Sequence, residues 1–210
     1  MTKLTGWVFA WSILGLVMAT GHAADKLVPE DGAVEVMLLR QKSVREDLKL
    51  THNEADKINK HCAQQWKKAK EINTLSESER DAKFEELTRE NDRFIEVTIT
   101  KEQRKRLKEI ELQIVGLMCV TRPDISKKLN LTDDQKKRAV GMQKLARQEM
   151  QEVIYASKPD TKNEKMAELR KTSRDKLFEL LTDEQETMWL KMVGLPFKGD
   201  LEFHHETASK

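Results

Sequence analysis

A five-residue pattern that recurs four times constrains this chain more than its composition does. It reads Leu50-Thr51-His52-Asn53-Glu54, Ile99-Thr100-Lys101-Glu102-Gln103, Leu131-Thr132-Asp133-Asp134-Gln135 and Leu181-Thr182-Asp183-Glu184-Gln185. Each has the form of a capping box. The threonine hydroxyl can accept from the backbone N–H three residues on, and the Glu or Gln there can reach back to the threonine N–H. That satisfies two of the four orphan donors at a helix start, and losing such a cap costs about 1 kcal/mol. Asp133-Asp134 and Asp183-Glu184 also place negative charge at the positive end of the helix dipole. The pattern therefore predicts four helix starts at fixed places. The residues four beyond each cap, Ala55, Arg104, Lys136 and Glu186, cannot complete a hydrophobic staple, so the leading Leu or Ile is expected to pack into the core.

The spacing of the boxes carries a second message. The threonines at 51, 100, 132 and 182 step by 49, 32 and 50 residues, so the first is offset from the third by 81 and the second from the fourth by 82. A tandem duplication of one unit produces that rhythm. Leu48 and Leu50 fall on Leu129 and Leu131 in this register, Phe84 and Leu87 on Met166 and Leu169, and Ile110 on Met192. The expected units are residues 34–116 and 117–196.

Between the boxes, apolar residues keep helical spacing in block after block. One helix is predicted over Ala33 to Leu48 with Val36, Leu39 and Val44 inward, and one from His52 to about Asn73 with Ile58, Cys62, Trp66, Ala69 and Ile72 on one face. Another opens near Ser76 with Phe84, Leu87, Phe94 and Ile95, and one follows Thr100 with Leu107, Ile110, Ile114 and Leu117. A short helix after Pro123 ends near Asn130. The long helix after Thr132 presents Ala139, Met142, Leu145, Ala146, Met150, Val153 and Ile154 before the Ser157-Lys158-Pro159-Asp160 turn. Met166, Leu169, Leu177 and Leu180 mark the next, and a last helix from Thr182 ends at Gly194-Leu195-Pro196. The fold class is all-α, built of extended antiparallel helical hairpins in two similar units.

The first residues read as an export signal: Lys3, then an apolar run from Trp7 to Met18, then Gly21 and Ala23 at the spacing of a signal-peptidase site. Spanning a bilayer takes roughly 20 apolar residues, so this run is short for an anchor. Residues 1–23 are the expected signal peptide, 24–33 a connecting segment, 34–196 the helical domain and 197–210 a loosely ordered tail. Without Lys3, 37 Lys and Arg stand against 36 Asp and Glu, interspersed along the chain. No basic footprint points to nucleic acid, and no membrane insertion is expected once the signal is cleaved. An exported chain permits a disulfide between Cys62 and Cys119; the alternative is two buried thiols acting as small hydrophobes.

Four such boxes on an exported, charged, helical chain resemble the LTxxQ-motif (Spy/CpxP-like) family of periplasmic proteins, of which this would be a tandem-duplicated member. Glu54 departs from the family's Gln but preserves the cap chemistry. The resemblance implies helical hairpins, pairing as a homodimer, and a periplasmic, ATP-independent, stress-related chaperone that holds unfolded or envelope proteins without a cofactor. The boxes are structural in that reading. Residues suited to a deformable client surface are Met142, Met150, Met166, Met188 and Met192 with Trp66 and Trp189, because a flexible thioether fits many partners; the same stripe at helical spacing is also what a core looks like. A metal-responsive protein is the first alternative, resting on His52 and Asp56 one helical turn apart and on His61 beside Cys62, with His204, His205 and Glu206 in the tail. A structural envelope protein binding one fixed partner is the second. No Gly-rich phosphate loop, G-x-S-x-G elbow or H-E-x-x-H motif is present, so no catalytic residue is assigned.

Overall fold

The structure, a computed structural model, describes residues 31–157 and 159–201. Among these residues it is all-α, without a strand: α1 (Asp31–Leu39), α2 (Lys42–Asp47), α3 (His52–Ile72), α4 (Glu77–Thr98), α5 (Lys101–Val115), a 3-10 turn (Gly116–Cys119), α6 (Pro123–Lys128), α7 (Asp133–Ala156), α8 (Pro159–Leu180) and α9 (Asp183–Val193). The expected signal peptide lies outside the described residues, as does most of the connecting segment.

Two compact units divide the chain, and the division falls within α5, between Glu111 and Leu112, five residues before the expected boundary. Unit 1 takes residues up to Glu111 together with those from Phe197 onward. Its frame is the antiparallel pair α3 and α4, with α1 laid against both. Val34, Val36, Leu38 and Leu39 of α1 are buried, as are Ile58, Cys62, Ala69 and Ile72 of α3. Arg106 of α5 holds Asp47 at the end of α2 through two hydrogen bonds, Nε to Oδ1 at 2.7 Å and Nη2 to Oδ2 at 3.0 Å, the forked geometry that makes Arg–carboxylate pairs specific. Lys108 of α5 pairs with the fully buried carboxylate of Glu111 at 2.7 Å. The single helix expected over Ala33 to Leu48 is broken at Arg40 and Gln41. Gln41 is in extended conformation, so α1 and α2 each turn their own apolar residues inward.

Unit 2, Leu112–Pro196, is framed by α7 and α8, with the 3-10 turn packed on both. Its core gathers Leu117, Cys119 and Val120 from the turn, Ile125 and Leu129 from α6, Ala139 from α7, Leu177 and Leu180 from α8, and Trp189 and Val193 from α9. Leu145, expected inward on α7, is 56% exposed. Gln113 closes the end of α9, its amide donating to the Val193 and Leu195 carbonyls at 2.7 and 2.9 Å.

The segment before the first box and the segment before the third are built alike. α2 and α6 are both six residues long and both are followed, two residues on, by a residue with left-handed backbone, Lys49 at φ 52° and Asn130 at φ 51°. Each terminus makes the paired hydrogen bonds of a Schellman close: Leu50 N–H to Arg45 O and Lys49 N–H to Glu46 O in the one, Leu131 N–H to Ser126 O and Asn130 N–H to Lys127 O in the other. Leu48 and Leu129 are buried just before the turn. Residues 197–201, expected in a loose tail, belong to unit 1, where the Ser43 hydroxyl donates to the Asp200 carbonyl at 2.6 Å. Gly199 permits that approach. A Cβ there would lie 2.5 Å from Ser43 Cβ and 2.5 Å from the Phe197 ring. Residues 202–210 lie outside the described residues.

Candidate functional site

The boxes form as capping boxes. Thr51, Thr132 and Thr182 each accept from the backbone N–H three residues on, and each has its own N–H bound by the side chain there. Thr100 does the same with Gln103, at 3.2 Å for the hydroxyl and 2.8 Å for the return bond. A fifth box went unread in the sequence: Ser76 caps α4 with Glu79, and the Ser-x-x-Glu spelling was the available cue.

The glutamines do more than cap. In unit 2 the carboxamide oxygens of Gln135 and Gln185 bind the Thr132 and Thr182 N–H groups, both at 3.0 Å, leaving their NH2 groups free to donate. Gln135 donates to the Leu180 carbonyl at 2.9 Å and Gln185 to the Asn130 carbonyl at 3.3 Å. They also donate to each other's Oε1 at 2.6 and 3.0 Å. Two boxes 50 residues apart are thereby locked at the base of the hairpin, and both glutamines are buried. In unit 1 Gln103 donates across to the Leu48 carbonyl at 3.2 Å. Glu54, a carboxylate, binds Thr51 N–H at 2.7 Å but has no N–H to give in return. Unit 1 is therefore clamped from one side only. Leu131 and Ile99 are buried, Leu50 and Leu181 half-buried, and Leu181 packs against the unit 2 core, so the leading aliphatics seat the boxes.

Along the α3–α4 seam, polar residues interrupt the apolar face. His61 Nε2 lies 2.9 Å from Asn91 Oδ1 and its ring stacks on Phe94, centroids 3.7 Å apart and planes at 4°. Burial holds the His61 imidazole below the usual histidine range, against the Asn91 bond and the Glu90 charge, which both favour the protonated ring. One turn further out, Gln65 donates to Glu90 at 3.1 Å and Lys68 pairs with the same carboxylate. Both partners hold Glu90 below the usual carboxylate range, Lys68 first.

The residues proposed for clients are placed mostly inside. Met150, Met166 and Trp189 are buried; Met142, Met188 and Met192 are half-buried and pack against the unit 2 core. Trp66 is half-buried, with the Lys70 ammonium 5.1 Å above its ring. These methionines and Trp189 are core, because helical spacing that aims residues at one face aims them at the partner helix. Large apolar side chains that are exposed lie elsewhere, at Leu75, Val97, Val140, Leu145, Tyr155, Leu190 and Leu195.

Cys62 and Cys119 are free, buried thiols in different units. Cys62 Sγ lies 3.7 Å from the Val36 carbonyl and Cys119 Sγ 3.1 Å from that of Gly116; burial pushes the Cys62 thiol up to about 11. The metal candidates are not brought together. His52 and Asp56 form an exposed pair at 3.4 Å, whereas His61, nine residues further along α3 and roughly 14 Å up the axis, is held by Asn91 and Phe94. Among the described residues no three His, Cys, Asp or Glu side chains gather as a metal set, and no helix is long and apolar enough to cross a membrane. His204, His205 and Glu206 lie outside them.

The chain matches no family model, no curated protein and no solved structure.

Proposed function

We propose that this is an exported, periplasmic, ATP-independent holding protein for unfolded or stressed envelope proteins, built as two tandem helical hairpins. The observation that carries the reading is the clamped box pair at the base of a hairpin. Thr132–Gln135 and Thr182–Gln185 fix two helix starts to each other, and Gln103 ties the second box of unit 1 to the end of α2. The long helices beyond these bases carry charge and scattered exposed apolar residues. In this reading those apolar side chains beside charges supply the grip on chains without a fixed fold. The tandem arrangement is supported by the matched Schellman turns at Lys49 and Asn130, 81 residues apart.

The test is light scattering of a reduced, aggregating client with and without the purified chain lacking residues 1–23, run without ATP and repeated with a chelator. Suppression at near-stoichiometric amounts and indifferent to chelator is the expected result. Absence of suppression at every ratio overturns the reading, and suppression abolished by chelator transfers the case to a metal-responsive protein.

A further inference from the structure

At the end of the α3–α4 hairpin where α3 gives way to the Ser76-capped α4, a groove of about 310 Å3 opens, its rim taking in the Lys68–Glu90 pair of the seam. Its floor is apolar: Ile72 and Leu87 are buried and Leu75 is 38% exposed at the mouth. Ile72 and Leu87 form a small cluster with Ala69, and Phe84 packs on it. The rim carries Lys68, Lys83, Glu71, Glu86 and Glu90. Two of its pairs are closed, Lys68 with Glu90 and Lys83 with Glu86 at 2.8 Å. Both rim cations are thus neutralised by rim anions. Glu71 is left, exposed, with no ion pair among the described residues. The end of the other hairpin is finished differently: Lys162, 8% exposed, lays its stem against the end of α7 and donates to the Ile154 carbonyl at 2.7 Å.

We infer that this groove is a peptide-binding site, and that its occupant is an extended segment presenting one large aliphatic or aromatic side chain next to a lysine or arginine. The volume sits at the small end of ligand clefts, which run from roughly 300 to 1,000 Å3, so it suits one side chain and its flanking backbone rather than a nucleotide or a flavin. The apolar floor takes the side chain and the spare Glu71 carboxylate takes the cation. The two closed pairs leave nothing on the rim to attract an acidic segment. This inference rests on the holding function above and gives that function a sequence preference.

The experiment is fluorescence anisotropy of short labelled Gly/Ser peptides carrying Leu-Arg, Leu-Glu or Ala-Arg, titrated with the full chain lacking residues 1–23. The Leu-Arg peptide is expected to bind best. Glu71→Lys should weaken it about fivefold, the scale of an exposed ion pair, and should reverse the order of Leu-Arg and Leu-Glu. Leu75→Asp should weaken both leucine peptides about tenfold, the scale of one lost apolar contact. Both positions are exposed, and unchanged helical circular dichroism confirms the fold. Equal binding of all three peptides, or binding that neither variant changes, overturns the groove. If the three peptides bind equally while the parent chain suppresses client aggregation, the groove falls and the holding function stands. If the parent chain shows the peptide preference yet suppresses no aggregation, the holding function falls and the groove stands.

Discussion

Gln135 and Gln185 use both halves of the carboxamide, and a substitution at either should cost more than the loss of a cap. Thr182→Ala removes the hydroxyl acceptor and should cost about 1 kcal/mol. Gln185→Leu keeps the volume but removes the return bond to Thr182 N–H, the donation to Asn130 O and the pair with Gln135, leaving buried polar partners unmatched, so about 2 kcal/mol or more is expected. Urea unfolding followed by Trp189 fluorescence measures both; equal losses would mean that the mutual glutamine bonds add nothing. Lys49 shows the opposite economy. A lysine with φ 52° occupies a conformation that glycine or asparagine holds with less strain, and only the Schellman bonds and the buried Leu48 beside it explain why the turn persists.

At the scale of elements, the α3–α4 seam is the pH-sensitive one. His61 faces Asn91 and Phe94 across the hairpin, with Glu90 and Lys68 the charged groups nearest it. Because its folded pKa is lowered, the unfolded chain binds the proton more readily. The stability His61 contributes is present above its ordinary value near pH 6.5 and is lost as pH falls through and below that value. The urea midpoint of unit 1, read by Trp66 fluorescence in a Trp189→Phe background, should therefore drop between pH 7.5 and pH 5 by roughly what a half-buried histidine allows, and His61→Gln should flatten the drop. An unchanged slope in that variant would assign the pH dependence to the carboxylates instead. The strap 197–201 is the second element open to test. Gly199→Ala forces a Cβ to within 2.5 Å of Ser43 Cβ, so amide exchange at 197–201 should rise and α2 should lose protection, while α7–α9 stay as they were.

For the whole molecule, the division at Glu111 and Leu112 matters because the last described residues return to the first unit. Residues 112–196 carry their own core, from Leu117 to Val193, and that fragment is expected to fold alone, with helical circular dichroism and a cooperative melt. Residues 24–196, lacking the strap, should keep unit 2 intact and weaken only unit 1. Hydrogen exchange on both fragments checks this, and loss of protection across unit 2 in the shorter chain would show the units to be one cooperative body.

All-α architecture, the helix starts at Thr51, Thr100, Thr132 and Thr182, and the turn before Pro159 were legible in the sequence, because capping chemistry and 3.6-residue periodicity act over a few neighbours. What periodicity could not decide was which apolar residue meets a partner helix. It put Leu145 inward, where the structure leaves it exposed; for Met166 and Trp189, which side-chain flexibility suggested as a client surface, helical spacing equally allowed the core, and the structure buries them. The break at Gln41, the docking of 197–201 and the mutual bond of Gln135 and Gln185 join groups 50 or more residues apart or follow from such packing. Local sequence determined where helices begin; tertiary structure alone decided which faces meet, since burial depends on the neighbours that long-range packing supplies.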